Sequence, residues 1–239
     1  MEWNVVGAFV MGAAVGSVLT WAKHRVRRNL AMPPTSLFFD PSDPLLREKL
    51  EALQPTRGYC VFSDIVGSTS LKDRGLMKWA PAIYNTFSNV RSLLPTGVVP
   101  LKGLGDALMF FVPESLLPSA EFGALRLFAA LVTAVRDPDS VYQELKVAVC
   151  YCADAYELSF LQNVPDVYGK DIDLTARLLS RAGAREVVMN EPFVLRLRDD
   201  FARAGNQEQY PEVSEVVGPW PEQLKGFAAP VQLYKLPAR

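Results

Sequence analysis

The most constraining stretch of this sequence is "GYCVFSDIVGST" (residues 58–69), in which an apolar strand runs into a single carboxylate, Asp64. Small and polar residues, Gly67, Ser68 and Thr69, follow it where a helix is expected to begin. A carboxylate at the end of a buried strand loses hydration, which costs free energy unless a positive group compensates. Aspartate is also a common residue at helix N-termini. Asp64 alone therefore leaves two interpretations open, a helix cap or a cation ligand.

A second acid, Asp106, favours the cation ligand. It lies at a predicted tight turn between the two strands of residues 97–112. In a split βαβ sheet these strands lie beside the first one, so Asp64 and Asp106 would converge at one edge. Two close carboxylates repel each other, and a pair of divalent ions such as Mg²⁺ or Mn²⁺ removes that repulsion. The free N–H groups of a helix that opens at residues 67–69 would form an anion site beside the ions.

The order of the predicted elements indicates an α+β fold of the ferredoxin-like type. A helix over residues 68–94 follows the first strand, and a second helix over residues 114–136 follows the hairpin. Residues 145–158 form a strand or strand pair, residues 168–183 a helix and residues 185–190 a strand, before two short strands in residues 216–236. This order, with its additions, is that of the split βαβ plan.

Composition argues against several classes of function. The 239 residues are 49% apolar and 21% charged, which suits one ordered domain with an appendage. A net charge of −1 gives no preference for nucleic acid. His24 is the only histidine, which argues against Ser-His-Asp, Cys-His and multi-histidine metal chemistry. Cys60, Cys150 and Cys152 lie in apolar strand-like stretches and are interpreted as reduced core residues of a cytosolic domain.

The N-terminal segment predicts a membrane anchor. Residues 4–22 form an uncharged segment that is just long enough to span a bilayer. Four Lys or Arg residues follow it within residues 23–28. Because Glu2 precedes the apolar segment and no Lys or Arg does, the positive-inside rule places the N-terminus outside and the remainder in the cytoplasm. A buried helix of a soluble protein is the alternative. Residues 1–28 are thus interpreted as a single-pass anchor of the inner (cytoplasmic) membrane with a basic flank, residues 29–56 as a linker with a short helix, and residues 57–239 as the folded domain.

Four blocks of the chain, "FSDIVGST", "KGLGDALMFF", "DVYGKDIDLTARL" and "LKGFAAPVQLYKL", resemble in this order the signature blocks of class III nucleotidyl cyclases. The resemblance covers roughly residues 57–237. It implies a ferredoxin-like class III cyclase homology domain that converts a nucleoside triphosphate to a 3′,5′-cyclic monophosphate and pyrophosphate. It also implies a homodimer with shared sites, in which one chain holds two divalent metal ions, Mg²⁺ or Mn²⁺, and the other supplies transition-state groups.

The resemblance implies roles for individual residues. Asp64 and Asp106 match the metal-binding aspartates, and the backbone carbonyl of Ile65 matches a further metal ligand. Arg177 matches the arginine that stabilises charge on the transferring α-phosphate, a role suited to the fixed donors of a guanidinium. The other matches are to nucleotide-binding positions, which are Lys225 for the terminal phosphates and Lys102 and Asp166 for the base.

Three departures from the family pattern surround the sugar and the base. Asp173 replaces the ribose-positioning asparagine, and an ionised carboxylate only accepts hydrogen bonds whereas an amide also donates them. Gly103 replaces the threonine after the base-reading lysine, and "VCYCADA" (residues 149–155) lacks a glycine and a histidine of the family. Because the metal and arginine positions are intact, we expect an active enzyme with altered base recognition.

A narrower resemblance, in "DIDLTAR" and in the short membrane-anchored architecture, is to the pyrimidine cyclases of bacterial antiphage (Pycsar) systems. It implies cyclic UMP or cyclic CMP as a second messenger for a separate receptor, which the sequence does not identify. UTP is favoured over CTP because Lys102 can donate to a uracil carbonyl.

Other interpretations stay open. Lys102 and Asp166 equally suit the base of ATP, so an adenylate cyclase that makes cyclic AMP is the first alternative. Tyr59 and Tyr168 are candidates for stacking on the base, although a tyrosine in a strand core is the more ordinary role for each. The alternative of another class is a non-catalytic nucleotide-binding or dimerisation module.

Overall fold

The computed structural model describes residues 44–95, 98, 100–117, 122–136, 143–158 and 166–239. Contacts divide them into two units, of which the first comprises residues 44–54, 157, 158, 166 and 167 and the second holds the rest. In the first unit, helix α1 (Pro44–Glu51) is the short helix predicted for the linker. The described ranges contain no helix with the length and apolar character needed to cross a membrane, and the predicted anchor, residues 4–22, lies outside them.

The described residues form strands with the bounds Thr56–Ile65 (β1), Pro100–Leu104 (β2), Ala107–Pro113 (β3), Leu145–Leu158 (β4), Asp166–Tyr168 (β5), Val187–Asn190 (β6), Val217–Glu222 (β7) and Val231–Leu236 (β8). Seven of them form a mixed sheet in the order β2-β3-β1-β4-β6-β8-β7. β1 pairs antiparallel with both β3 and β4, and β4 pairs parallel with β6. Strands β1 to β4 therefore have the split βαβ order, which confirms the predicted ferredoxin-like plan.

The helices differ from the predicted ones. The helix predicted for residues 68–94 is divided into α2 (Ser68–Lys72) and α3 (Leu76–Leu93). Gly75 between them has a φ of 89°, which is incompatible with a continuous helix and which glycine adopts readily. The helix predicted from residue 114 starts as a single 3₁₀ turn (Glu114–Leu116), and α4 proper spans Gly123–Arg136. α5 spans Lys170–Leu179, and α6 (Glu191–Arg203) was not predicted at all.

The sheet carries helices on both faces. Tyr59 and Val61 of β1 point into the hydrophobic core, together with residues of α3, α4 and α6. Cys60, which alternates with them, lies on the opposite face, where α5 packs against β1. All three cysteines are free and buried, as predicted, and burial raises the pKa of the Cys60 and Cys150 thiols well above the usual range. These thiols are therefore packing groups rather than nucleophiles.

Two buried polar side chains attach α6 to its neighbours. Asn190 is 1% exposed; its Oδ1 accepts hydrogen bonds from the N–H groups of Tyr151 and Phe193, and its Nδ2 donates to the Tyr151 carbonyl, each at 3.1 Å. Asp200 Oδ2 accepts from two N–H groups in the first turn of α4 at 2.9 and 3.2 Å. Because the buried side chains of Asn190 and Asp200 are both paired with backbone groups, they fix α6 against β4 and α4. α5 packs on the opposite face of the sheet, and the side of α5 that points away from the sheet is exposed to solvent.

Candidate functional site

Asp64 and Asp106 meet at one end of β1. Asp64 is the register partner of Ala107 in β3, and the Ile65 N–H donates to the Asp106 carbonyl at 3.3 Å. The turn that carries Asp106 therefore lies directly beside the end of β1. Both acids line one open cavity of about 350 Å³, together with Ile65 and the segment from Val66 to Thr69. The structure thus brings together the two carboxylates that the sequence placed at one sheet edge.

Two lysines accompany the two acids in this cluster. Lys146 Nζ lies 2.9 Å from Asp64 Oδ2, and Lys72 Nζ lies 3.7 Å from Asp106 Oδ1. The side chains of Asp64 and Asp106 are 20% and 31% exposed, so each acid is partly desolvated beside a positive group. The local sequence pattern indicated neither lysine as a site residue. Lys146 faces Asp64 only through the register of β4 against β1, which no local pattern indicates.

The ionisation of Asp106 is set by opposing influences. Partial burial is the largest single influence and acts to raise its pKa. A hydrogen bond from the Ser68 hydroxyl, a backbone hydrogen bond and the nearby Lys72 ammonium act in the other direction, and together they hold the pKa of Asp106 below its usual value. The carboxylate is therefore ionised at neutral pH and able to bind a cation.

The predicted anion site at residues 67–69 is only partly present. Gly67, Ser68 and Thr69 line the cavity, but the helix that they open, α2, has five residues and not the predicted length. Such a short helix adds little dipole field. The Ser68 hydroxyl is turned to Asp106 and is 4% exposed as a residue, so it supports the acid rather than facing an anion. The predicted length of this helix is therefore wrong, whereas phosphate binding by residues 67–69 stays a prediction.

The donors around the cavity suit a hard divalent cation. The two carboxylates offer oxygen ligands, which Mg²⁺ and Mn²⁺ prefer, and Ile65, whose carbonyl is the further predicted ligand, also lines the cavity. Among the residues that the structure describes, no group of three or more His, Cys, Asp or Glu is placed to hold a metal. Mg²⁺ commonly binds through one or two carboxylates and takes its other ligands from water and substrate phosphates. The residues present therefore fit such an ion, provided that a phosphate completes its coordination.

Asp173 and Arg177 lie elsewhere. They are exposed on the outer face of α5, one helical turn apart, and neither lines the cavity of Asp64 and Asp106. Lys225 is exposed in the segment between β7 and β8. The second unit thus presents two separate groups of predicted site residues, an acid pair in a cavity and a set of exposed polar residues outside it.

Lys102 and Tyr168 come together on the surface of the second unit. Lys102 Nζ lies 5.6 Å from the centre of the Tyr168 ring, and Tyr168 as a residue is 37% exposed. Beside them, a Cβ built on Gly103 would contact only Leu108, at 3.8 Å, so the space at Gly103 is open. Asp166 belongs to the first unit, where its Oδ1 accepts a hydrogen bond from the Val167 N–H at 2.8 Å.

Tyr59 is not a site residue, which corrects the prediction that it stacks on a base. It is 4% exposed and makes edge-to-face contacts with Tyr151 and Phe193, at 5.5 and 5.8 Å between ring centres. Neither face of its ring is open to a ligand. Burial, the largest cause, raises its pKa far above the usual value, as expected of a core phenol.

Comparison with known proteins relates this arrangement to cyclase structures. No family model matches the chain, and no curated protein sequence matches it. Solved structures do match: the adenylyl cyclase CyaB from P. aeruginosa (18% identity, 76% of this chain and 94% of that chain, TM-score 0.62), the guanylyl cyclase Cya2 (16%, 77% and 92%, 0.58) and the guanylate cyclase domain of RhGC from Catenaria anguillulae in complex with GTP (16%, 77% and 97%, 0.53). At these identities the likeness shows the fold, which is the α+β fold of class III adenylyl and guanylyl cyclase catalytic domains, as predicted.

Proposed function

We propose that this chain is a nucleotidyl cyclase, which converts a nucleoside triphosphate to a 3′,5′-cyclic nucleotide and pyrophosphate. The observation that carries the proposal is the placement of Asp64 and Asp106 in one open cavity at the edge of a cyclase-like fold. The neighbour solved in complex with GTP supports a triphosphate as the class of substrate.

In this reaction the 3′-hydroxyl oxygen bonds to the α-phosphorus, the bond from that phosphorus to the bridging oxygen breaks, and pyrophosphate leaves as the hydroxyl loses its proton. Two divalent ions, Mg²⁺ or Mn²⁺, would supply charge neutralisation and polarisation of the reacting oxygens. Asp64, Asp106 and the Ile65 carbonyl would hold them. Arg177 would stabilise negative charge that develops on the α-phosphate, and Lys225 would bind the terminal phosphates.

We further propose that the active unit is a homodimer with sites shared between chains. Asp173 and Arg177 are exposed on α5 and lie outside the cavity that holds the acids. A second copy related by twofold symmetry can place its α5 over the cavity of the first, and each chain then serves both sites. A cyclase built in this way has no complete site in one chain.

For the base, we propose UTP as the preferred substrate. The Lys102 ammonium lies over a half-exposed aromatic ring and beside the open space at Gly103, an arrangement suited to holding a small base against Tyr168. Lys102 can donate to a uracil carbonyl, and Asp173 changes how the sugar is held. The antiphage role of the product rests on the resemblance to Pycsar cyclases. An adenylate cyclase remains the alternative, because Lys102 and Asp166 also suit adenine.

We expect the purified full-length protein to turn over UTP at least about tenfold faster than ATP, GTP or CTP, since a polar group left unpaired by the wrong base is strongly penalised. The measurement is incubation with each triphosphate separately, with the products identified by mass. Lys102→Ala should reduce the ratio of UTP to ATP turnover about tenfold, which is the effect of losing one charged hydrogen bond. Lys78→Ala, at an exposed lysine of α3, should leave the ratio unchanged. A wide preference for ATP would refute the pyrimidine assignment.

Residues 4–22 are proposed to anchor the protein in the inner membrane, with the C-terminal domain in the cytoplasm where triphosphates are present. We expect the full-length protein in the membrane fraction, and a variant with arginine at Val10 and Val15 in the soluble fraction, because charges in mid-segment oppose insertion. Recovery of the unmodified protein in the soluble fraction would identify the segment as a packing helix.

The competing class, a non-catalytic nucleotide-binding module, makes a different prediction. It binds triphosphates without releasing pyrophosphate. Pyrophosphate release with Mn²⁺ and a mixture of the four triphosphates therefore separates the two, and its absence from a protein that binds nucleotide would favour the module.

A further inference from the structure

We propose that Lys146 is an internal counterion for Asp64, which occupies this carboxylate in the nucleotide-free protein and thereby keeps the affinity of the cavity for free divalent cations low. The inference deepens the proposed cyclase function and rests on it, since it concerns the same cation site. Lys72 acts in the same way on Asp106, with a smaller effect.

The contact between Lys146 and Asp64 follows from the sheet itself. The two residues are partners in the register of β4 against β1, so their backbones are held opposite each other by the ladder. Nζ and Oδ2 are 2.9 Å apart, and the side chains are 27% and 20% exposed. The pair is thus a close, partly desolvated contact inside the cavity. Lys72 is farther from its acid, at 3.7 Å, and is more exposed, at 40%.

The charges of the four side chains cancel. Two carboxylates alone attract a divalent ion strongly, but two carboxylates with two ammonium groups present no net charge to it. A cation that binds Asp64 must also displace the Lys146 ammonium or lie close to it. Displacement is feasible, because partly exposed ion pairs are weak and the lysine stem is flexible.

A nucleotide changes this balance. A triphosphate brings several negative charges to the cavity, which compensate the ammonium groups that the cation displaces. A cation that arrives with a triphosphate therefore binds readily, whereas a free cation does not. Lys146 in this view couples cation binding to the presence of substrate.

The test is titration of the nucleotide-free, full-length protein with Mn²⁺ alone, with the free ion followed by electron paramagnetic resonance. Lys146→Met should bind Mn²⁺ about tenfold more tightly than the unmodified protein, because a positive charge next to the ion is removed. Lys146→Arg keeps the charge and should bind as weakly as the unmodified protein. Lys72→Met should show a gain of about threefold.

Lys235→Met is the matched control. Lys235 pairs with Glu186 at 3.2 Å, and the two side chains are 28% and 21% exposed, almost as in the Lys146 pair, but neither lines the cavity. The Lys235→Met protein should bind Mn²⁺ with the same affinity as the unmodified protein. Thermal unfolding of each variant shows that the fold is retained.

A folded Lys146→Met protein that binds Mn²⁺ no more tightly than the unmodified protein would overturn the counterion proposal. Asp64→Asn in the Lys146→Met background distinguishes this failure from failure of the proposed function. If the double variant loses Mn²⁺ binding, Asp64 is a cation ligand, whatever Lys146 does. If it binds Mn²⁺ as well as Lys146→Met alone, Asp64 is not a ligand, and both the counterion proposal and the metal assignment of the cyclase are wrong.

Discussion

Replacing Asp64 or Asp106 with alanine should reduce cyclisation of the triphosphate by at least about 1,000-fold, because each change removes a ligand of the ions that neutralise the reacting phosphates. Both acids line the same cavity, and the hydrogen bond from Ser68 and the nearby Lys72 help to hold the pKa of Asp106 below its usual value. The measurement is pyrophosphate release at saturating triphosphate and Mn²⁺.

The same variants should remain folded. Each acid lies beside a lysine, so the repulsion between the two carboxylates is already largely compensated and its removal gains little. We therefore expect the free energy of unfolding to change by no more than about 1 kcal/mol. Asp199→Ala, at an exposed acid on α6, is the activity control. Near-normal turnover by either cavity variant would show that the metal assignment is wrong.

Arg177→Ala should reduce turnover by about 1,000-fold or more. This is the size of the rate enhancement supplied by arginines that stabilise charge on a transferring phosphoryl group. Arg177 lies on the exposed face of α5, outside the cavity of the acids, so in the proposed dimer it acts on the site of the other chain. Its loss should affect kcat more than KM, because the charge it meets develops in the transition state.

Mixing the inactive Asp106→Ala and Arg177→Ala proteins tests the shared site directly. In a heterodimer, one site carries both substitutions and the other carries neither. With random pairing, activity should return to about a quarter of that of the unmodified protein, since half of the dimers contain one intact site. A mixture of Asp64→Ala with Asp106→Ala should stay inactive, because both residues serve the same half of a site. Absence of recovery, when pull-down with distinct tags shows that heterodimers form, would refute the shared site.

The sequence by itself determined the parts of this protein that depend on local pattern. The apolar strand that ends at Asp64 and the turn at Asp106 are visible in residue order, and the split βαβ order of elements follows from their succession. The spacing of Asp173 and Arg177, four residues apart, places them on one face of a helix in any fold that keeps that helix. The apolar surroundings of the cysteines likewise indicated their burial.

Only the tertiary structure decided which residues surround these parts. Tyr59 and Cys60 alternate on a strand that is apolar on both faces, so the sequence did not show which face α4 and α6 would cover. Tyr59 lies on that core face and is therefore unavailable to a base. Asn190 caps the start of α6 by accepting a hydrogen bond from the Phe193 N–H. Asparagine is also common in loops, so the residue type alone does not indicate a cap. Its position here is fixed by a second hydrogen bond, from the N–H of Tyr151 in β4.

The lysines at the acid pair show the physical reason most plainly. Alternation along a strand determines which residues share a face, but pairing across strands depends on register, and a shift by one residue places a different side chain opposite Asp64. Lys146 is 82 positions from Asp64 in the chain and lies 2.9 Å from it because β4 pairs with β1 in this register. Local sequence therefore predicted the two acids, whereas the charge that balances them was decided by the assembled sheet.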